Sequence, residues 1–193
     1  MIAIINYNSG NIASVCNALE RIGQKFVVTS NASVILSADG VIFPGVGSAN
    51  AAMKDLCEKG LDNVVREVKV PFLGICLGLQ LLSEFSEEGD TKCLGIIDGN
   101  VEKFEDTVKV PQIGWNKVWG VENSLMDGIE DGSYFYFVNS YYLPVIDYTL
   151  GKTLYSLEFS SVIQKDNFYA TQFHPEKSGK VGEKLLNNFC KLC

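Results

Sequence analysis

Two short motifs hold a nucleophile, a base and an acid that could work together. The first is Gly74-Ile75-Cys76-Leu77-Gly78, a G-x-C-x-G pattern. The second is Gln172-Phe173-His174-Pro175-Glu176. A cysteine attacks as thiolate, and a histidine that hydrogen-bonds it can hold it in that form while a third group orients the ring. His174 is the only histidine in the chain, so any cysteine that depends on a histidine depends on this one. Glu176 follows two residues later, within reach of the other ring nitrogen, which completes a Cys-His-Glu set. The chemistry of such a set is acyl transfer from an amide or ester, through an acyl-thioester that water clears. A cysteine in so apolar a stretch is also at home in a core, so the elements around it carry the decision.

Those elements point to one edge of a sheet. The apolar run 70–75 reads as a buried strand, and Leu77, Leu81, Leu82 and Phe85 then recur at helical spacing. A strand that turns sharply into a helix, with glycines on both sides of the corner, is a nucleophile elbow. The corner thiol would sit at the helix N-terminus, where the macrodipole favours the thiolate. The run 168–173 reads as a second strand that Pro175 stops, leaving His174 at its C-terminal end. Open α/β sheets gather their sites at that edge. A third motif, Pro44-Gly45-Val46-Gly47, closes a strand over 39–43. N–H groups near Val46 and Gly47, with that of Leu77, could hold an oxyanion. Taken alone, the same residues make a plain turn into a helix starting at Ala49, and no G-K-[ST] follows that would cradle phosphate.

Along the chain, residues 2–5 read as a first strand ending in the turn Asn6-Tyr7-Asn8-Ser9-Gly10. The spacing predicts a helix over 11–22 closed by Gly23, a strand over 26–28, and helices over 49–59 and 61–68. Strands alternating with helices imply βαβ units and a parallel sheet covered on both faces. After Glu87-Glu88-Gly89-Asp90 the pattern turns β-rich. Short runs at 101–104, 117–119, 134–138, 141–143, 153–159, 161–164 and 168–173 alternate with turns, and a helix over 181–190 closes the chain. No linker or repeat divides it, so the expectation is one α/β domain over 1–193, with a mixed, mostly parallel sheet flanked by helices and a β-rich second half.

The chain has 193 residues, 47% of them hydrophobic, and a net charge of −7. That suffices for one substantial core. No basic stripe suggests a nucleic-acid partner, and no apolar run suggests a membrane. The first strand lacks the basic flank and length of a signal segment. The expected location is cytoplasmic, with all six cysteines reduced. Cys190 and Cys193 form a lone C-x-x-C at the tail, without further ligands at zinc spacing and at the end rather than the start of a helix. Neither a metal nor a redox role is expected of them.

The segment Gly74-Ile75-Cys76-Leu77-Gly78-Leu79-Gln80-Leu81-Leu82, together with Phe173-His174-Pro175-Glu176, resembles the class I (triad) glutamine amidotransferases, whose domain is flavodoxin-like. Four further stretches narrow the likeness. They are Pro44-Gly45-Val46-Gly47, Pro111-Gln112-Ile113-Gly114-Trp115-Asn116, Tyr136-Phe137-Val138-Asn139-Ser140-Tyr141-Tyr142 and His174-Pro175-Glu176-Lys177-Ser178. They fit the glutaminase branch that serves imidazole glycerol phosphate synthase in histidine biosynthesis, and the likeness covers essentially the whole chain. The resemblance implies hydrolysis of glutamine to glutamate and ammonia by Cys76, His174 and Glu176, without a cofactor. It implies substrate contacts from Gln80, from Gly47 in the oxyanion loop, and from the backbone near Ser140 and Tyr141. It also implies a heterodimer in which ammonia passes through a tunnel into a (β/α)8-barrel cyclase, with Tyr136 toward that partner and with activity low until it binds. The cyclase would build imidazole glycerol phosphate and release an aminoimidazole carboxamide ribonucleotide.

Two positions depart from the branch, which commonly has histidine where this chain has Gln112 and Asn139. Neither belongs to the triad, but both leave the ammonia acceptor open. Paralogous subunits amidate nucleotide-linked or surface-polysaccharide sugars. A non-catalytic interaction protein on the same fold, or another cysteine hydrolase, are the remaining alternatives.

Overall fold

Continuous apolar runs become strands only where both faces are covered, and the first strand sets the pattern. In the computed structural model, which describes residues 1–7, 11–120 and 123–193, all four residues of β1 (Ile2–Ile5) are buried. Residues 8–10 of the expected turn lie outside the described residues. Helix α1 (Ile12–Arg21) ends at Ile22 with Gly23 at φ 72°, and β2 (Phe26–Thr29) follows. The short α2 (Ala32–Leu36) was not foreseen. It is too brief for an apolar period, and its signal is local: Asn31 Oδ1 accepts from the N–H groups of Ser33 and Val34 at 2.9 and 3.4 Å. Then come β3 (Gly40–Gly45), α3 (Ala49–Glu58), α4 (Leu61–Glu67), β4 (Phe72–Cys76) and α5 (Leu77–Leu82). Two expectations shift here. Strand β3 runs on through Pro44 and Gly45, which still pair with Ile75 and Cys76. Helix α5 stops at Leu82, and Phe85 instead opens a strand.

Strands β2, β1, β3 and β4 form a parallel block in that order, and β13 (Phe168–Thr171) joins it beside β4. Residues alternate between its two faces. Val41, Phe43 and Phe72 pack under α3, α4 and α5 with Leu56, Val65 and Leu81. Ile2, Ile42, Leu73 and Ile75 pack on the other side with Val15 and Leu19 of α1 and Leu186 and Phe189 of α6 (Gly179–Leu192).

Beyond β13 the sheet is antiparallel except for one parallel pair, β5 with β7. Its outer strands are β12 (Leu157–Lys165), β10 (Tyr141–Pro144), β7 (Asn100–Lys103), β5 (Phe85–Ser86) and β6 (Thr91–Lys92). Strand β11 (Thr149–Tyr155) pairs with β12 off that path. The expected single strand over 153–159 is the tip of this hairpin, because Ser156 at φ 64° reverses the chain between Tyr155 and Leu157. The expected run 161–164 belongs to β12. A separate two-stranded ribbon pairs β8 (Gln112–Lys117) with β9 (Tyr134–Asn139). The expected strand at 117–119 is the end of β8 plus one bridge from Trp119 to Lys152. No helix among the described residues is long and apolar enough to cross a membrane.

Candidate active site

Cys76 sits where β4 becomes α5, with φ 54° and ψ −107°. A non-glycine residue in that region is strained and is held there by its surroundings. The surroundings are glycines packed without room to spare. A Cβ on Gly78 would collide with the carbonyl oxygen of Phe43, and one on Gly45 would lie 2.7 Å from the Gly78 nitrogen. Strand β3 and the start of α5 therefore touch backbone to backbone, which forces the sharp corner.

His174 arrives on the other flank of β4. Parallel pairing of Thr171 with Ile75 brings the end of β13 alongside the elbow. The strand stops there, and Phe173, fully buried, stacks on Phe135 at 4.0 Å. His174 follows, its N–H donating to Tyr136 O at 2.9 Å and its carbonyl accepting from Ser178 Oγ at 2.6 Å. Pro175 then starts a short 3-10 turn that carries Glu176 back beneath the ring. His174 Nδ1 and Glu176 Oε1 are 2.8 Å apart, and the ring lines the same pocket as Cys76. His174 is 2% exposed and Glu176 7%. Burial works against a charged ring, but the sulfur and the carboxylate outweigh it and push His174 up to about 10. Both partners favour the protonated ring, the form that has a proton to give.

A pocket of about 250 Å³ opens over the sulfur. Its wall includes Val46, Gly47, Leu77, Gln80, Ser140 and Tyr141, so the sequence-expected residues converge. Gly47 has φ 101°, and Leu77 carries one of the first N–H groups of α5, which have no acceptor within the helix. With only six residues, α5 is shorter than expected, and its dipole is a smaller support for a thiolate. Gln80 is 4% exposed, with Nε2 already donating to Tyr141 O at 3.0 Å and Gln172 Oε1 at 3.1 Å. Its Oε1 remains for a ligand. Tyr136 stands apart from this wall, on the ribbon, in edge contact with Trp115 at 6.0 Å.

Sequence reasoning assigned nothing to Glu88, Gln172 or Lys177. Glu88 lines the pocket while its Oε2 accepts from the N–H of Ala49 at 2.8 Å, capping α3. It sat in an acidic turn with no motif to mark it. Lys177 lines the pocket from the 3-10 turn. Gln172 is fully buried, with Nε2 3.7 Å from Cys76 Sγ. Gln112 and Asn139 turn out to be cross-strand partners in the ribbon, both buried, each with a side-chain oxygen that has no hydrogen-bond partner. Asn139 belongs to the pocket wall.

Burial raises the thiols of Cys16, Cys57, Cys93, Cys190 and Cys193, to about 11 for Cys93 and Cys193 and about 12 for Cys190. Among the described residues no group of three His, Cys, Asp or Glu side chains could hold a metal ion.

The family model for class-I glutamine amidotransferases matches residues 3–193. An imidazole glycerol phosphate synthase subunit HisH from Bacteroides fragilis is 50% identical over 194 residues, covering 99% of each chain. A subunit of the same name from Methanocaldococcus jannaschii is 50% identical over 197 residues, covering all of both. Among solved structures, PurLQS from Thermotoga maritima superposes with a TM-score of 0.72 at 17% identity, covering 98% of this chain and 97% of that one, a likeness of fold.

Proposed function

Because the chain belongs to the class I glutamine amidotransferases, we propose that Cys76, His174 and Glu176 are its glutaminase triad. The protein acts as the glutaminase subunit of imidazole glycerol phosphate synthase in histidine biosynthesis. Half-identity over the full length with such subunits from a bacterium and an archaeon supports this pathway over sugar amidation. The observation that carries the chemistry is the His174 ring, backed by the Glu176 carboxylate at 2.8 Å and lining one pocket with the Cys76 thiol at its strained elbow.

The steps follow from that geometry. Glutamine enters with its carboxamide over Cys76. The sulfur attacks the amide carbon, and the carbonyl oxygen takes up negative charge facing Leu77 N–H and the Val46–Gly47 segment. Collapse breaks the C–N bond, and the imidazolium of His174 gives its proton to the leaving nitrogen, which departs as ammonia. Water then attacks the thioester, losing a proton to His174, and glutamate leaves as the sulfur regains its charge. Glu176 keeps the ring oriented and favours its protonated form throughout. At the far end of the substrate, the Glu88 carboxylate suits the α-ammonium, and Gln80 with the Ser140–Tyr141 backbone holds the amino-acid end.

The ammonia goes to a barrel-shaped cyclase partner. Its docking face is the β8–β9 ribbon, where Ile113 is 60% exposed, Trp115 55% and Tyr134 54%, with Trp119 beside them. Large apolar side chains grouped on a surface mark an interaction site. Replacing Cys76 by alanine tests the reading. In the reconstituted pair, glutamine-dependent synthesis is lost while added ammonia still supports product. Glutamine-driven synthesis in the variant would refute the assignment.

A further inference from the structure

Gln172 makes a contact that the triad does not require. Its place is set by register. Thr171 pairs with Ile75 across the parallel β4–β13 ladder, so the next residues, Gln172 and Cys76, come side by side. The side chain is fully buried, and its orientation can be read from its neighbours. The main-chain carbonyl of Tyr141 can only accept, so Gln80 turns Nε2 toward it at 3.0 Å. The same Nε2 donates to Gln172 Oε1 at 3.1 Å. With its oxygen engaged, Gln172 presents Nε2 to Cys76 Sγ at 3.7 Å. The carbonyl of Val138 also lies 3.7 Å from the sulfur. These two neighbours pull in opposite directions. A carbonyl accepts from the thiol and favours it, whereas an amide N–H donates to the thiolate and favours that.

We propose that Gln172 is a positioning residue for the Cys76 nucleophile, donating an N–H to the thiolate from a carboxamide whose orientation is locked, through Gln80, by the Tyr141 carbonyl. This rests on the reading of Cys76 as nucleophile. It gives Gln80 a second task beside substrate contact, and it ties the pocket wall at Tyr141 to the sulfur through two buried amides. It also supplies the thiolate with support that a six-residue helix provides poorly.

The test is the pH dependence of Cys76 alkylation by iodoacetamide in the full chain, read by peptide mass spectrometry, beside steady-state kinetics with the cyclase partner. Peptide mass spectrometry reads Cys76 apart from the other five thiols. Gln172→Met keeps the volume and removes both hydrogen bonds. Gln172→Glu keeps an acceptor for Gln80 and removes the donor. In both, the alkylation midpoint moves up by about one pH unit or more, and kcat near neutrality falls about tenfold. KM stays near the parent value in Gln172→Glu. An alkylation profile in Gln172→Met that overlays the parent overturns the proposal, as does a raised KM with an unmoved profile, which would make Gln172 only a brace for Gln80. Should the buried carboxylate prevent folding, Gln172→Met decides alone. Turnover in Cys76→Ala would instead sink the nucleophile assignment itself.

Discussion

The parallel block and the β8–β9 ribbon meet at the same pocket but are built on opposite terms. In β1, β3 and β4 every residue is buried, and the elbow is packed so tightly that glycine backbones touch. In the ribbon, Ile113, Trp115 and Tyr134 face outward, while Gln112 and Asn139 bury oxygens that no donor satisfies. Buried acceptors are ordinarily paired. The block fixes the Cys76 corner by its own packing. The ribbon instead leaves large apolar side chains in the open. The two are bonded to each other: the Val138 carbonyl of the ribbon faces the Cys76 sulfur, and Tyr136 accepts the His174 N–H through its carbonyl and gives its own N–H to Ser178 Oγ. The main chain that positions the base is thus bonded to the ribbon that the partner is proposed to cover.

The sharpest challenge to this contrast is at the acid behind the base. Glu176→Gln removes a carboxylate that raises His174, so the ring loses its proton at lower pH. Glutaminase turnover in the complex falls on the order of 10²–10⁴-fold, and the alkaline limb of its pH profile moves to lower pH. A limb that stays in place would separate Glu176 from the ring's charge. Next in size is the rigid side. Gly78→Ala puts a methyl against the Phe43 carbonyl, which is backbone and cannot step aside. Urea unfolding should show a loss of about 3 kcal/mol, and full stability would mean that the elbow is looser than its packing implies. The smallest effect is on the open side. Trp115→Ala, at a side chain 55% exposed, should weaken partner binding about tenfold, or roughly 1–2 kcal/mol, with an unchanged unfolding midpoint. Equal affinity in calorimetric titration would move the docking face elsewhere.

Much of the parallel block is legible in the chain. Its helices and strands have runs and periods longer than a turn, bounded by glycines, and errors there are small shifts such as α5 ending before Phe85. The second half is harder, because short strands carry little periodicity. Thr153 to Phe159 reads as one strand although Ser156 folds it into two. Burial of Gln112 and Asn139 is likewise hidden, since polar residues in a strand read as its outer face.

What the sequence by itself determines is the chemistry: a cysteine between glycines at a strand–helix corner, a single histidine, and a glutamate two residues beyond it. Those are local facts, set by residue type and backbone geometry over a few positions. What only the tertiary structure decides is who stands next to whom. Strand β13 inserts beside β4 across some ninety residues of chain, and that register brings Gln172 against Cys76 and aligns His174 with the elbow. Glu88 joins the wall from a turn, and Gln112 meets Asn139 across a ribbon. Local propensity cannot encode such pairings, because their free energy comes from burying two sheet faces under helices at once, and it is the whole packed sheet that selects the register.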